Sequence, residues 1–218
     1  MDNNYLSPSG FVKRCGMAEH NFWKRHLEGE YNFIFIHINK CGGTSIEHHL
    51  GLPKRMHFTS KDAIKKIGID KWNEYYTFSL VRHPYSRIVS LYNYRTNTNA
   101  NRMKYHPVEI NEWVRLCFKE KCRFYQWPRV MSLPSVDWLT VDGKIAVDEV
   151  LKIEEIDENW ERVCSTIGCK YEKIGRHNVT KSEDYKSSVS KLSKKSIKIL
   201  NEYFEEDFKA FGYEMKRV

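Results

Sequence analysis

The 218-residue sequence lacks any apolar run long enough to cross a bilayer. Residues 1–20 also lack an apolar segment after a basic start, which is the pattern of a secretory leader. These absences predict a chain that works in the cytoplasm and does not span a membrane. No internal repeat and no low-complexity tract is present, which argues against repeat architectures.

Cysteines at the close spacing of small zinc domains are absent as well. The six cysteines stand at positions 15, 41, 117, 122, 164 and 169, and none of them forms a Cys-x-x-Cys pair. Their number is also too small for a disulfide scaffold. We therefore expect reduced thiols and no metal site.

The composition is that of a folded, basic chain. Hydrophobic residues make up 41% and aromatic residues 14%, which is enough apolar material for a core. Lys and Arg total 36 against 28 Asp and Glu, a net charge of +8. Anions are thus the expected partners, but the charge alone does not choose among nucleic acid, a membrane surface, a phosphorylated cofactor and an acidic glycan.

Two strand-turn-helix units stand in the first half of the chain. Phe33 to Ile38 is a continuous apolar run of strand length, followed by the loop NKCGGTS and a helix that includes Ile46 to Leu50. A second strand, Tyr76 to Val81, ends just before Arg82, and Pro84 fits the first turn of the next helix. Buried-type strands that alternate with helices predict an α/β fold: a single P-loop-like domain with a central, mainly parallel sheet flanked by helices.

Other local signals fill in the outline. Thr59 to Asp62 has the pattern of a capping box at a helix start. Asp142-Gly143 predicts a hairpin between strands at Val136 to Val141 and Lys144 to Ile153. The basic segments Arg95 to Pro107 and Lys121 to Ser135 are predicted to be long surface loops.

The loop after the first strand has the composition of an anion site. Its glycines let backbone N–H groups converge, the helix start adds partial positive charge, and Lys40 adds a full charge. Thr44 and Ser45 can donate hydroxyl hydrogen bonds. The alternative for such a loop is a tight turn that binds no ligand. The strand before the loop and the pair of hydroxyl residues after it favour a phosphate-binding loop over that alternative. The members predicted to bind the anion are Lys40, Cys41, Gly42, Gly43, Thr44 and Ser45.

Two other phosphate chemistries fit this loop poorly. The nucleoside-triphosphate loop G-x-x-x-x-G-K-[ST] places Lys after the second glycine, whereas Lys40 precedes both glycines. A cysteine phosphatase would need Arg six residues after Cys41, and that position is Glu47. Cys41 is therefore interpreted as a small loop residue.

A second anion site is predicted where the second strand ends. Arg82 follows that strand, and Ser90 lies on the second turn of the helix after it. Ligands of open α/β sheets bind at the carboxyl ends of the strands, so parallel neighbouring strands would bring Arg82 close to Lys40. A surface salt bridge is the alternative for Arg82 alone, but the two sites together could hold two phosphates of one molecule.

The segments FIHINKCGGTSIE and FSLVRHPYSRIVSLY resemble the sulfotransferases that use 3'-phosphoadenosine 5'-phosphosulfate (PAPS), in particular the family that includes glycan 2-O-sulfotransferases. Weaker resemblance spans Asn32 to Glu214, which suggests an N-terminal extension of residues 1–30 and a sulfotransferase domain of residues 31–218. The resemblance implies that the first segment binds the 5'-phosphosulfate and that Arg82 and Ser90 bind the 3'-phosphate. This sequence departs from the family pattern at Asn39, usually Pro, at Cys41, and at Lys152, where Arg is expected.

The resemblance also implies a reaction, the transfer of a sulfuryl group to an acceptor hydroxyl with 3'-phosphoadenosine 5'-phosphate as product. Lys40 is expected to stabilise charge on the leaving phosphate, so no divalent metal is required. His57, just before a helix start, is the predicted general base, because a helix N-terminus disfavours the imidazolium. Capping or packing is the alternative role of His57, and Glu47, His48 and His49 are the other candidate bases.

Two rival functions remain open at the level of sequence. One is a phosphotransferase that uses a nucleoside triphosphate with magnesium. The other is a nucleic-acid-binding module, although we do not expect nucleic acid to be a partner. The basic and aromatic residues that would serve nucleic acid could equally receive an acidic sugar chain, and a carbohydrate hydroxyl is the favoured acceptor. They are Arg102, Lys104, Tyr105, Arg123, Tyr125 and Trp127.

Overall fold

A computed structural model of the chain describes residues 20–53, 57–99, 103, 105–126, 128–174 and 185–218. The strands are β1 (Phe33–Ile36), β2 (Tyr76–Val81), β3 (Thr140–Val141), β4 (Lys144–Ile145) and β5 (Glu149–Lys152). β1, β2 and β5 form a parallel sheet in the order β1-β2-β5, and β3 pairs with β4 as a short antiparallel hairpin.

The helices surround this sheet. They are α1 (20–27), α2 (Gly43–His49), α3 (Ser60–Ile67), α4 (Ile69–Glu74), α5 (Pro84–Asn97), α6 (Ile110–Val114), α7 (Arg123–Gln126), α8 (Ser135–Leu139), α9 (Ile156–Ile167), α10 (Tyr185–Ser190), α11 (Lys194–Tyr203) and α12 (Glu205–Phe211). A π-helical turn over Arg115–Lys119 continues α6. Among the described residues, no helix has the length and apolar character needed to cross a bilayer.

The sheet aligns the ends of its strands. Ile36 of β1 pairs with Ser79 of β2, and Val81 of β2 pairs with Lys152 of β5. All four residues of β1 are buried, as expected of a parallel strand covered on both faces. The segments that follow the three strands therefore begin at one edge of the sheet, which is where α/β folds bind ligands.

Two clusters of buried side chains form the core. The first surrounds the sheet and includes Phe22 and Trp23 of α1, and the second lies among α5, α6, α11 and α12. α1 is thus packed onto the core although it precedes residue 31. The division into an extension of residues 1–30 and a domain of residues 31–218 stays a prediction.

The predicted α/β class with a parallel sheet flanked by helices is confirmed. β2 has the predicted bounds, α5 begins at Pro84, and Thr59 and Asp62 form the predicted capping box at the start of α3. β1 ends at Ile36 rather than Ile38.

The strand predicted at Val136 to Val141 is wrong over most of its length. Ser135–Leu139 is α8, because the carboxylate of Asp207 accepts the backbone N–H groups of Ser135 and Val136, at 2.7 and 2.8 Å, and caps that helix. Only Thr140–Val141 enters the hairpin, and the second predicted strand is divided into β4 and β5.

The interpretation of Lys121 to Ser135 as a long surface loop is also wrong. This segment contains α7 and a 3-10 turn over Arg129–Ser132, and both are hydrogen-bonded to the buried Arg95 of α5. Arg95 donates to the carbonyls of Tyr125 and Gln126. The guanidinium thus supplies the hydrogen-bond donors that these two carbonyls need.

Candidate active site

The loop between β1 and α2 has the geometry of an anion cradle. Gly42 is the residue before the helix, in the left-handed conformation at φ 84°, and no side chain caps this end of α2. The first N–H groups of a helix need partners from outside the helix. An anion at this helix start would meet that need and would also benefit from the helix dipole.

Gly42 is required by its left-handed backbone, and Gly43 is required by the space around it. A Cβ on Gly42 would lie 2.6 Å from Cδ1 of Ile153, and a Cβ on Gly43 would lie 2.1 Å from Cδ2 of His37. Heavy atoms of this kind do not approach so closely. The backbone of the loop is therefore packed against Ile153 and His37, and a side chain at Gly43 would collide with the His37 ring.

Lys40 is half-buried in the loop and has a left-handed backbone, with φ 64°. Its Nζ lies 4.6 Å from the ring centroid of Tyr94, a cation–π contact with α5. Burial first, and the positive charge of Arg82 second, lower the pKa of Lys40. Two cations that repel each other in this way would both be stabilised by a bound anion.

The residues predicted to form a second anion site lie at the same edge of the sheet. Arg82 directly follows β2, Ser90 is on α5, and both are half-buried. β1 and β2 are parallel neighbours, which was the condition for Arg82 to lie near Lys40. The electrostatic effect of Arg82 on Lys40 agrees with this arrangement. The cations and the glycine cradle thus suit a ligand with more than one phosphate.

Lys152 adds a third cation at the end of β5. It pairs with Val81 in the sheet register, so it lies beside the last residue of β2. Its Nζ is 5.1 Å from the ring centroid of Tyr213 and 3.7 Å from a carboxylate oxygen of Glu155. The residue that replaces the expected Arg of the family pattern therefore retains a positive charge at the end of β5, in register with the end of β2.

Cys41 differs from its neighbours, because its side chain is fully buried. Its Sγ lies 3.7 Å from the carbonyl oxygen of Asn39, and burial raises the pKa of the thiol to about 11. A thiol with such a pKa is a poor nucleophile at neutral pH, which agrees with setting the phosphatase aside. Only the backbone of Cys41 is in a position to serve a ligand.

Arg87, which lies between Arg82 and Ser90 on the first turn of α5, is a structural residue. It is 1% exposed, and its guanidinium donates to the backbone carbonyl and side-chain oxygen of Asn39, both at 3.2 Å. It also donates to the carbonyl of Leu133 and the hydroxyl of Ser135, at 2.8 and 3.1 Å. The Asn39 amide in turn donates to the carbonyl of Met131 at 3.0 Å. Asn39, a departure from the family pattern, thus joins the loop to Arg87 and the 131–135 segment.

His57 lies beside the loop, on the segment before α3. Its Nδ1 is 3.0 Å from the carbonyl oxygen of His37, and the two rings are 4.4 Å apart between centroids. A carbonyl only accepts, so Nδ1 carries the proton of the neutral ring and Nε2 is the basic nitrogen. His57 is also exposed to solvent, as a base that meets a substrate must be.

The other candidate bases are less well placed. Glu47 is 1% exposed, and its carboxylate lies 2.5 Å from Nδ1 of His37, which is buried as well. His48 is exposed on the last turn of α2, and Nε2 of His49 is 3.2 Å from the carbonyl oxygen of Lys170. All three lie in α2 beyond its first turn, whereas His57 is held by the residue that packs on Gly43.

Sequence reasoning missed three residues of this site. Tyr94 contacts Lys40, His37 supports both Gly43 and His57, and Arg87 holds the loop through Asn39. His37 stands at the end of an apolar run, which is an available signal, since a polar residue there is unusual. The contacts of Tyr94 and Arg87 depend on the packing of α5 against the loop, and no local pattern reveals them.

Comparisons with known proteins show the family of the chain. A profile of the sulfotransferase family matches residues 25–214, which is most of the chain. Comparisons with curated proteins and with solved structures give no match. The matched range includes the glycine cradle, Arg82 and His57. The chain therefore belongs to the sulfotransferase family, whose members are enzymes that use PAPS as the sulfate donor.

Proposed function

We propose that this protein transfers the sulfuryl group of PAPS to a hydroxyl of a carbohydrate acceptor, with His57 as general base and Lys40 as the stabiliser of leaving-group charge. One observation carries the proposal. The loop with Lys40 and the segment with Arg82 follow two neighbouring parallel strands, and burial first and the charge of Arg82 second lower the pKa of Lys40. Two half-buried cations beside a glycine cradle suit a bisphosphorylated nucleotide better than a single phosphate.

The donor side divides into two groups of residues. The backbone N–H groups at the start of α2, the Lys40 ammonium and the hydroxyls of Thr44 and Ser45 hold the 5' side of the nucleotide. Arg82 offers a planar fork to the 3'-phosphate, and Ser90 adds a hydroxyl. Bound PAPS supplies an activated sulfuryl group on a phosphate leaving group.

Charge grows on the leaving phosphate as the sulfuryl group departs. In this proposal the Lys40 ammonium and the fixed N–H groups of α2 meet that charge, so the reaction needs no divalent ion. Burial of Lys40 strengthens the effect, because an electrostatic interaction is larger where water is excluded.

The acceptor hydroxyl must lose a proton as it attacks sulfur. Nε2 of His57 accepts that proton, since Nδ1 already donates to the His37 carbonyl. The hydrogen bond fixes both the tautomer and the direction of the ring. His37 acts as a positioning residue, and the buried carboxylate of Glu47 orients the His37 ring in turn.

A melting assay tests the donor assignment. We expect 3'-phosphoadenosine 5'-phosphate to raise the melting temperature, whereas ATP with magnesium does not, because only a ligand that binds the folded state stabilises it. A shift with ATP and magnesium alone would instead support the rival phosphotransferase. The absence of any shift with the bisphosphate would refute the proposal.

Single substitutions separate the roles. We expect Lys40→Ala and His57→Ala each to lower turnover by roughly 100-fold or more. His57→Ala should leave the affinity for 3'-phosphoadenosine 5'-phosphate unchanged, and Arg82→Ala should weaken it in calorimetry. His48→Ala is the matched control, since His48 is exposed on the last turn of α2. Near wild-type turnover in His57→Ala would remove that residue from its role.

The choice of a carbohydrate acceptor rests on the positive charge of the chain and on its exposed basic and aromatic groups. Arg123 and Tyr105 are exposed, whereas Arg102, Lys104 and Trp127 lie outside the described residues. We expect sulfation of a desulfated acidic glycan to be measurable with radiolabelled PAPS. Salt-sensitive binding to DNA or RNA, without transfer to a glycan, would favour the nucleic-acid alternative.

A further inference from the structure

Three side chains of the types that bind metal ions meet at the C-terminal end of α2, the opposite end of that helix from the glycine loop. They are His49 on α2, Cys164 on α9 and Cys169 just after α9, and their ligand atoms all lie within 4.8 Å of one another. Nε2 of His49 is 3.9 Å from Sγ of Cys164. No disulfide joins the two cysteines.

The end of α9 brings the two thiols together. Cys164 is buried on the last turn, and Gly168 ends the helix in the left-handed conformation, with φ 71°. The N–H of Cys169 then donates to the carbonyl of Cys164 at 3.0 Å, which turns the chain back over the helix end. A Cys-x-x-x-x-Cys spacing thus produces neighbouring thiols only because a helix terminus lies between them. The spacing alone gave no reason to expect a metal site.

The ring of His49 is held in place from α9 as well. Its edge packs against Trp160 with centroids 5.3 Å apart, and Trp160 lies one turn before Cys164. Nε2 of His49 lies 3.2 Å from the carbonyl oxygen of Lys170, so without metal this nitrogen carries the proton. A metal ion at Nε2 would replace that hydrogen bond and move the ring proton to Nδ1.

We propose that His49, Cys164 and Cys169 bind one zinc ion, with a water molecule as the fourth ligand. Two thiolates and one imidazole are a donor set that Zn²⁺ favours over Mg²⁺ or Ca²⁺, which prefer oxygen ligands. Tetrahedral zinc needs ligand atoms somewhat less than 4 Å apart, so the observed separations require only small rotations of side chains. Cys169 and His49 are half-buried, which leaves the fourth position open to solvent.

The ion would join two elements that are distant in sequence. α2 begins at Gly43 and ends at His49, so the backbone of His49 lies roughly 9 Å along the helix axis from the start of the helix. Zinc binding releases the two thiol protons to solvent and stabilises the folded state, since the unfolded chain does not hold the three ligands together. The site does not depend on the proposed sulfuryl transfer.

Metal titration of the full-length, reduced and chelator-stripped protein tests the site. We expect one Zn²⁺ per chain by elemental analysis, a higher melting temperature with Zn²⁺, and thiolate-to-cobalt charge-transfer absorption when Co²⁺ is used as a probe. Cys169→Ser and His49→Gln should each weaken zinc binding by roughly 100-fold or more and abolish the melting shift. Cys164→Ser should do the same, but it alters a buried residue, and the two half-buried positions are therefore the decisive ones.

The matched controls are Cys122→Ser, a half-buried cysteine outside the cluster, and His48→Gln, the neighbour of His49. Both should bind zinc as the wild type does. The proposal is overturned if the reduced protein binds no zinc or cobalt, or if Cys169→Ser binds zinc as tightly as the wild type. A Cys164–Cys169 disulfide in the purified protein, with no zinc binding after reduction, would overturn it too and assign the pair to redox chemistry.

Discussion

The loop of residues 37–43, called the donor loop after its proposed role, and the His57 segment lie side by side but are built differently. The loop is packed from several directions: Ile153 closes on Gly42, His37 on Gly43, and the buried Arg87 holds Asn39. His57 is exposed and rests on the carbonyl and ring of His37, with its ring 6.2 Å from that of Trp138. A nucleotide of fixed shape suits the rigid side, and an acceptor that must enter and leave suits the exposed one.

His37 belongs to both regions. Its ring packs on Gly43 and bonds to Glu47, while its backbone carbonyl accepts from His57. A disturbance of the donor loop that moves His37 should therefore also move His57, the proposed base. The following predictions test how far the two regions are coupled, from the largest expected effect to the smallest.

The largest effect is expected from Arg87→Met. The change leaves the Asn39 and Leu133 carbonyls without their donor and removes the positive charge that faces the buried Asp207. We expect a loss of about 3–5 kcal/mol in the free energy of unfolding, measured by urea denaturation. Arg115→Met is the control, because that exposed ion pair with Glu112 should contribute about 1 kcal/mol or less. Equal losses in the two variants would contradict the buried role of Arg87.

Gly43→Ala tests the coupling directly. The new Cβ would lie 2.1 Å from the His37 ring, so the ring or the loop must shift at a cost of about 1–3 kcal/mol. We expect weaker binding of 3'-phosphoadenosine 5'-phosphate and also a fall in turnover at saturating donor, since His57 moves with His37.

Gly51→Ala is its control, because nothing lies within 4 Å of the added Cβ and only the left-handed backbone opposes it. If Gly43→Ala weakens donor binding but leaves turnover at saturation unchanged, His37 does not transmit the change to His57.

The pH dependence of stability should reveal the contribution of His83, which directly follows Arg82 in the chain. Burial lowers the pKa of His83 from 6.5 to about 4, so between these values the unfolded chain binds a proton that the folded chain does not. The stability that His83 gives is present above about pH 6.5 and is lost as the pH falls through about 4.

We expect His83→Phe, which retains the aromatic packing against Tyr185 and Tyr213, to reduce the loss of stability between neutral pH and about pH 5 by about 2 kcal/mol. Urea denaturation at the two pH values measures it. An unchanged pH dependence in the variant would mean that other groups cause the acid sensitivity.

The smallest effect is expected from Thr59→Ala, two residues after His57, the proposed base. Thr59 caps α3 by accepting the N–H of Asp62 at 3.1 Å, so its loss should cost about 1 kcal/mol. We expect a modest fall in turnover and no change in donor affinity, because the cap steadies the His57 segment only. Lys61→Ala, an exposed change in the same helix, is the control. A loss of donor affinity in Thr59→Ala would show that the two regions are not separate.

The sequence by itself determined the parts of this protein that depend on local rules. The apolar run of β2, Pro84 at the start of α5, and the pairing of Thr59 with Asp62 each act within a few residues, so their patterns predicted the structure. The order of strand, glycine loop and helix was also predicted, and the anion site at that loop stays a prediction.

Tertiary structure decided the rest. α8 forms where a strand was expected, since Asp207 caps it from a helix about 70 residues away in the chain. The support of the loop by Arg87, the position of His57 on His37, and the meeting of His49 with Cys164 and Cys169 likewise join residues that no local pattern relates. Hydrogen bonds and charges act through space, so residues distant in sequence became partners only when the sheet and its helices had packed.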